Sequence, residues 1–167
     1  MPMLSLNIQF FVVLLVCAFF HVGTATAQNN RALPTCSAPE GAWQNELGSV
    51  LIIESLNPET GMLKGTYQSA SGAGATKFPL IGWANDAEPS KEAPCAGCKP
   101  NHAQVYGFTV RWGDIGSITS WTGTCALVND QPTLKTVWNL ARPNSGYDWD
   151  HVNAGSATFV PRKAANE

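Results

Sequence analysis

The chain has 167 residues, of which 44% are hydrophobic and 13% charged, with a formal net charge of −2. It therefore lacks the basic excess that a nucleic-acid surface needs. With so few charges, much of its surface must be Ser, Thr, Asn and Gly, or be covered by another subunit.

Residues 10–20 form an unbroken apolar stretch of eleven, too short to span a bilayer. The stretch ends before Ala25-Thr26-Ala27, a small-x-small cleavage pattern, which predicts a secretory signal over 1–27 and a mature chain from Gln28. Residues 28–35 read as an N-terminal extension, 36–162 as one folded domain and 163–167 as a tail. No later apolar run is long enough to cross a membrane, so the expected product is secreted and soluble. Four cysteines stay in the mature chain: Cys36, Cys95, Cys98 and Cys125. An even number in an oxidising compartment predicts two disulfides, with three possible connectivities.

No window of the mature chain shows sustained 3.6-residue amphipathicity. Short segments rich in Val, Ile, Thr, Tyr and Trp recur instead between Gly, Asn, Pro and Ser turns, which predicts an all-β fold. Eight strands are expected, over 41–46, 49–55, 62–69, 76–84, 104–112, 117–128, 133–142 and 156–162. The joins at 57–61 and 128–131 have hairpin-turn composition. Eight strands linked by hairpins favour an antiparallel up-and-down meander closed into a barrel, since closure removes exposed edges. Such a barrel can hold one small ligand. Residues 70–75 form a small-residue loop long enough to fold over a barrel mouth, and 85–101 form an aperiodic insertion.

The segment 112–125, WGDIGSITSWTGTC, carries the clearest functional signal. Residues two apart in a strand share a face. Ser117, Thr119, Trp121, Gly123 and Cys125 therefore line one side, as two hydroxyls, an indole, a small residue and a thiol. That combination suits a dry pocket gripping a ligand with some polar atoms. Trp138 follows in another strand and Trp149 in a loop.

Other constellations are weaker. Cys95-x-x-Cys98 lies among prolines rather than at a helix start, so a local staple or an intersubunit bridge is preferred to redox chemistry. Together with His102 it offers no fourth zinc ligand, and no metal site is expected. His151 lies near Asp148 and Asp150, but no G-x-S-x-G elbow exists, and these residues read as loop charges rather than catalytic groups. No catalytic residue and no enzyme activity are expected.

In order, the chain carries GAWQNELGS (41–49), GTYQS (65–69), GFTVRW (107–112), SITSWTGTC (117–125), LKTVWNL (134–140) and W-x5-G-x3-F (149–159). This series closely resembles the avidin/streptavidin family of biotin-binding proteins over nearly all of the mature chain, departing only in the 85–101 insertion. The resemblance implies that Asn45, Ser49 and Tyr67 donate to the ureido oxygen of biotin. It implies that Thr119 faces the sulfur, and that Ser117, Ser69 and the Gly72-Ala73 region lie near the carboxylate. Trp112, Trp121 and Trp138 would box the ring system with Trp149 from a neighbouring subunit, and Leu47 and Leu140 would add apolar contact. Trp43 would be barrel core, and Trp83 is given no role. The resemblance further implies a Cys36–Cys125 bridge and a homo-oligomer, a tetramer or else a dimer, with biotin as ligand and no cofactor.

One position departs from the family. Where it places Asp or Asn to accept from a ureido N–H, this chain has Ala157, with Asn153 or Ser156 or a water as substitutes. Biotin is thus expected to bind, but more weakly than in the tightest members. The rival readings are a lipocalin-like carrier of another small apolar ligand, an interaction protein on the same scaffold with a weakened site, and a hydrolase using His151.

Overall fold

The computed structural model describes residues 32–71, 74–85 and 103–162. The expected signal segment, the Gly72-Ala73 pair, Cys95, Cys98, His102 and the tail at 163–167 lie outside the described residues.

Eight strands run in chain order: β1 Gly41–Asn45, β2 Val50–Leu56, β3 Met62–Gln68, β4 Lys77–Asn85, β5 Gln104–Arg111, β6 Ile118–Val128, β7 Gln131–Ala141 and β8 Val152–Arg162. Each pairs antiparallel with the next, and β8 returns to β1, giving a closed up-and-down barrel. The eight expected strands are all present, with ends shifted by a residue or two except at β8. That strand begins at Val152 rather than at 156. The described residues also contain two single 3-10 turns outside the expected strands, Gly113–Ile115 and Asp148–Asp150. Among the described residues no helix is long and apolar enough to cross a membrane.

Alternation explains the core. In β5, Tyr106, Phe108 and Val110 are buried, and in β6 Thr119, Trp121 and Cys125. These side chains meet Trp43, Leu51, Ile53, Leu63, Leu80, Leu134 and Phe159 inside the barrel. Fully burying one aliphatic or aromatic side chain of this kind stabilises the fold by about 1.5–3 kcal/mol. Trp43 is almost wholly buried and donates its indole N–H to the Pro39 carbonyl at 2.9 Å, so its polar atom is satisfied where it closes the core. Trp83, by contrast, is exposed on the outside of β4.

The turns follow their chemistry. Asn129 and Asp130 take φ values of 50° and 62°, the paired positive φ of a type I′ hairpin between β6 and β7. Asn57 Oδ1 accepts the Glu59 and Thr60 amides at 2.9 and 3.0 Å, building the β2–β3 turn. Gly61 completes that turn at φ 68°, pressed against the Ala84 carbonyl, where a side chain has no room.

The two ends of the barrel differ. The turns after β1, β3, β5 and β7 cluster at one end, which forms the mouth. At the other end Cys36 is bonded to Cys125 of β6, with Cα atoms 5.4 Å apart and 89 residues between them. Tyr106 donates its hydroxyl to the Cys36 carbonyl at 2.5 Å. The segment preceding β1 is thereby strapped over the far end of the barrel.

Candidate functional site

The inner wall near the mouth carries a polar cluster. Asn45 ends β1 and Ser49 precedes β2, and both are buried. Asn45 Oδ1 accepts the backbone amides of Leu47 at 3.1 Å and Ser49 at 2.8 Å. Both acceptor directions of that oxygen are thereby committed, the amide orientation is fixed, and Nδ2 is the group left to donate. Ser49 Oγ accepts the Ala70 amide at 3.1 Å, which ties this cluster to the β3–β4 loop.

Tyr67, buried on β3, hydrogen-bonds to Ser49. Burial pushes its phenol above the ordinary value of 10.0. The Ser49 hydrogen bond opposes that shift and the charge of Glu46 adds to it. The phenol therefore holds its proton at neutral pH and acts as a donor.

An aromatic wall stands beside this cluster. Tyr67 lies 4.8 Å from Trp121 and 5.8 Å, edge-on, from Trp112, and Phe78 packs edge-on against Trp112 at 5.2 Å. Trp112 donates its indole N–H to Thr119 Oγ1 at 2.7 Å. Trp138 is half-buried on β7, opposite Trp121 on one side and Gly155 on the other. A Cβ on Gly155 would collide with the Trp138 ring, so glycine is required there for the indole to lie flat on β8.

The remaining candidates divide. Ser117 is buried at the mouth end of β6 and Leu140 half-buried on β7. Ser69 turns its hydroxyl to the Ser71 carbonyl at 2.6 Å and accepts the Ser71 amide at 3.2 Å, so it braces the β3–β4 loop. Leu47 and Trp149 are 75% and 77% exposed on the single chain. Trp149 stacks on Tyr147 with ring centroids 5.3 Å apart, an exposed aromatic pair on the β7–β8 loop.

Ala157 is buried on the inner face, opposite Thr136. Thr136 donates its hydroxyl to the Ala157 carbonyl at 2.9 Å and retains acceptor lone pairs beside the missing carboxamide. Of the two anticipated substitutes for an acceptor at 157, Ser156 points outward and is exposed. Asn153 does face inward, four residues nearer the mouth. The shortened expectation for β8 concealed that orientation.

His151 donates its Nδ1–H to the Arg142 carbonyl at 2.9 Å, and Arg142 pairs with Asp150. His151 thus braces the β7–β8 loop with its ring. Among the described residues no group of three or more His, Cys, Asp or Glu side chains converges.

A closed barrel whose inner wall joins a carboxamide, hydroxyls, a phenol and indoles at one end has the chemistry of a wall suited to a small ligand with polar atoms. Residues 33–162 match the model of the avidin family, so the chain belongs to the avidin family. Avidin of Gallus gallus is 30% identical over 134 residues, covering 76% of this chain and 80% of that one. Afifavidin of Afifella pfennigii is 30% identical over 133 residues, covering 74% and 69%. The crystal structure of xenavidin superposes with a TM-score of 0.55 at 33% identity, over 72% of this chain and 94% of that chain.

Proposed function

We propose that this chain is a secreted, non-enzymatic protein that binds biotin inside its barrel and releases it unchanged. The observation that carries this reading is the Asn45–Ser49–Tyr67 cluster. Asn45 Nδ2 is left as a donor by two backbone amides on Oδ1, beside a buried pair of hydroxyls. When the ligand's urea oxygen replaces the Ser49–Tyr67 hydrogen bond, all three groups donate to it and draw it toward an oxyanion, and charge-assisted hydrogen bonds are the strong ones. Trp112, Trp121 and Trp138 enclose the bicyclic rings, Leu140 adds apolar contact, and Thr119 turns its proton toward the sulfur. Ser117 and Ser69, with the loop that Ser69 braces, serve the carboxylate end. Because the donors are positioned before the ligand arrives, little ordering cost falls on binding.

Leu47, on the β1–β2 loop, adds apolar contact at the mouth, and Trp149 completes the site from a neighbouring copy. Supporting an oligomer is an exposed apolar rung on the outer wall, Ile118–Ala141–Val152, with Val137 exposed on the same face of β7 four residues further along. We place the Trp149 indole over the mouth of a neighbouring copy in a homotetramer. Ala157 leaves one ureido N–H to Thr136 Oγ1 or to water. An imperfectly paired N–H costs about 1–3 kcal/mol, which is roughly one to two decades of affinity at about 1.4 kcal/mol per decade.

The test is thermal unfolding of the purified protein with and without biotin, with tryptophan emission followed in the same sample. A ligand held only by the native state raises the midpoint. A raised midpoint with altered emission is expected. An unchanged midpoint at saturating biotin overturns the reading.

A further inference from the structure

β8 carries a polar group that the preceding reading leaves without a role. Asn153 shares the inward column with Gly155, Ala157 and Phe159, because β8 pairs with β7 without a register break. Across the ladder Asn153 faces Leu140, and Leu140 faces Thr119. Asn153 Nδ2 is buried and has no hydrogen-bond partner among the described residues. No other buried side-chain nitrogen or oxygen among the described residues is left in that condition. Native folds seldom keep such a donor without a use for it, since desolvation without a partner is costly.

The position selects the use. Four residues of strand separate Asn153 from Ala157, ~13 Å at about 3.3 Å per residue, several times the reach of an asparagine side chain. Asn153 therefore does not replace the acceptor missing at 157. It lies instead toward the mouth, one step in from the β7–β8 loop. Its unpaired atom is an N–H donor, so its complement is an acceptor, and a carboxylate is the strongest acceptor an acyl tail offers. The cation of that loop, Arg142, is already committed to the Asp150 side chain and backbone carbonyl.

We propose that Asn153 is a specificity-determining residue whose Nδ2 donates to the carboxylate of the ligand's tail, so that the barrel favours the free acid over neutral tail derivatives. The inference rests on the biotin reading above.

The experiment measures dissociation constants of biotin and of biotinamide, whose tail ends in a neutral amide, for wild type, Asn153→Ala and Asn153→Asp. Wild type is expected to prefer biotin. Asn153→Ala should weaken biotin about tenfold, the scale of one hydrogen bond to a charged group, and weaken the amide much less. Asn153→Asp should invert the preference, because its carboxylate repels that of biotin while accepting from the amide. Wild type that binds neither ligand overturns the biotin reading and this inference together. Wild type that binds biotin, with the biotin-to-amide ratio unchanged in Asn153→Ala, overturns this inference alone. Asn153→Ala is a simple truncation on a half-buried surface, so its ratio decides the matter even if Asn153→Asp folds poorly.

Discussion

Trp112 donates its indole N–H to Thr119 Oγ1 at 2.7 Å across the β5–β6 connection. The bond holds the indole on the inner wall and occupies a lone pair of the threonine, leaving the hydroxyl proton free to face a ligand. Thr119→Val keeps the shape and deletes the acceptor. It should lower unfolding free energy by about 1–3 kcal/mol, the cost of leaving an N–H unpaired, while Thr119→Ser should retain most of it. Urea unfolding of the two variants checks this, and equal stability of Val and Ser would refute it.

Tyr67 gives a pH dependence of definite sign. Its folded-state phenol titrates above the ordinary 10.0, with burial the leading cause. A group raised in the folded state contributes stability fully present below the unfolded value and lost as pH rises through the folded value. Stability should hold through neutral and mildly alkaline pH and decline above about pH 10, and biotin affinity should decline with it. Tyr67→Phe should flatten that alkaline limb and weaken biotin by about 1–3 kcal/mol at neutral pH. Titration of the melting midpoint against pH for both proteins is the measurement.

Ala157 offers a gain. Ala157→Asn restores a carboxamide acceptor opposite Thr136 and should tighten biotin by roughly one to two decades, most of it through a slower off-rate. Unchanged affinity would mean that Thr136 or a water already pairs the ureido N–H fully.

The Cys36–Cys125 bridge encloses 89 residues of separation. Cross-links over long loops restrict the unfolded chain most, and losing a native disulfide from a small domain typically costs about 2–5 kcal/mol. Cys36→Ser, Cys125→Ser and the double variant should lower the melting midpoint by similar amounts, since each removes the same bond. Calorimetry of the three checks it.

Trp149 and Tyr147 form an exposed stack. Trp149→Ala should weaken biotin and speed its release while leaving the fold of each barrel intact by circular dichroism, because the ring buries little surface in its own chain. Tyr147→Ala should do the same to a smaller degree by leaving the lid ring less well oriented. Off-rates by fluorescence displacement measure both.

The barrel was legible because its inner wall alternates. Tyr106, Phe108 and Val110 on β5, and Thr119, Trp121 and Cys125 on β6, have the period-two pattern of a half-buried sheet, and Asn129-Asp130 spells its own turn. The start of β8 was hidden because Asn153-Ala154-Gly155 is a run of poor strand formers. Pairing with β7 overrides that local preference. Once the strand is shortened, the inward parity of Asn153 cannot be read. Nor does composition reveal that the Ser69 hydroxyl is held by Ser71, or that Trp149 rides on a 3-10 turn, since both depend on loop conformation. The two backbone amides that Asn45 Oδ1 accepts are similarly invisible until β1 and β2 are joined.

The strap that Cys36 forms across the barrel, together with the direction of β8, sends both ends of the described chain out at the pole opposite the mouth. A linker joined directly to residue 32 or residue 162 of the barrel would therefore leave from the end opposite the opening, clear of the side chains that line it.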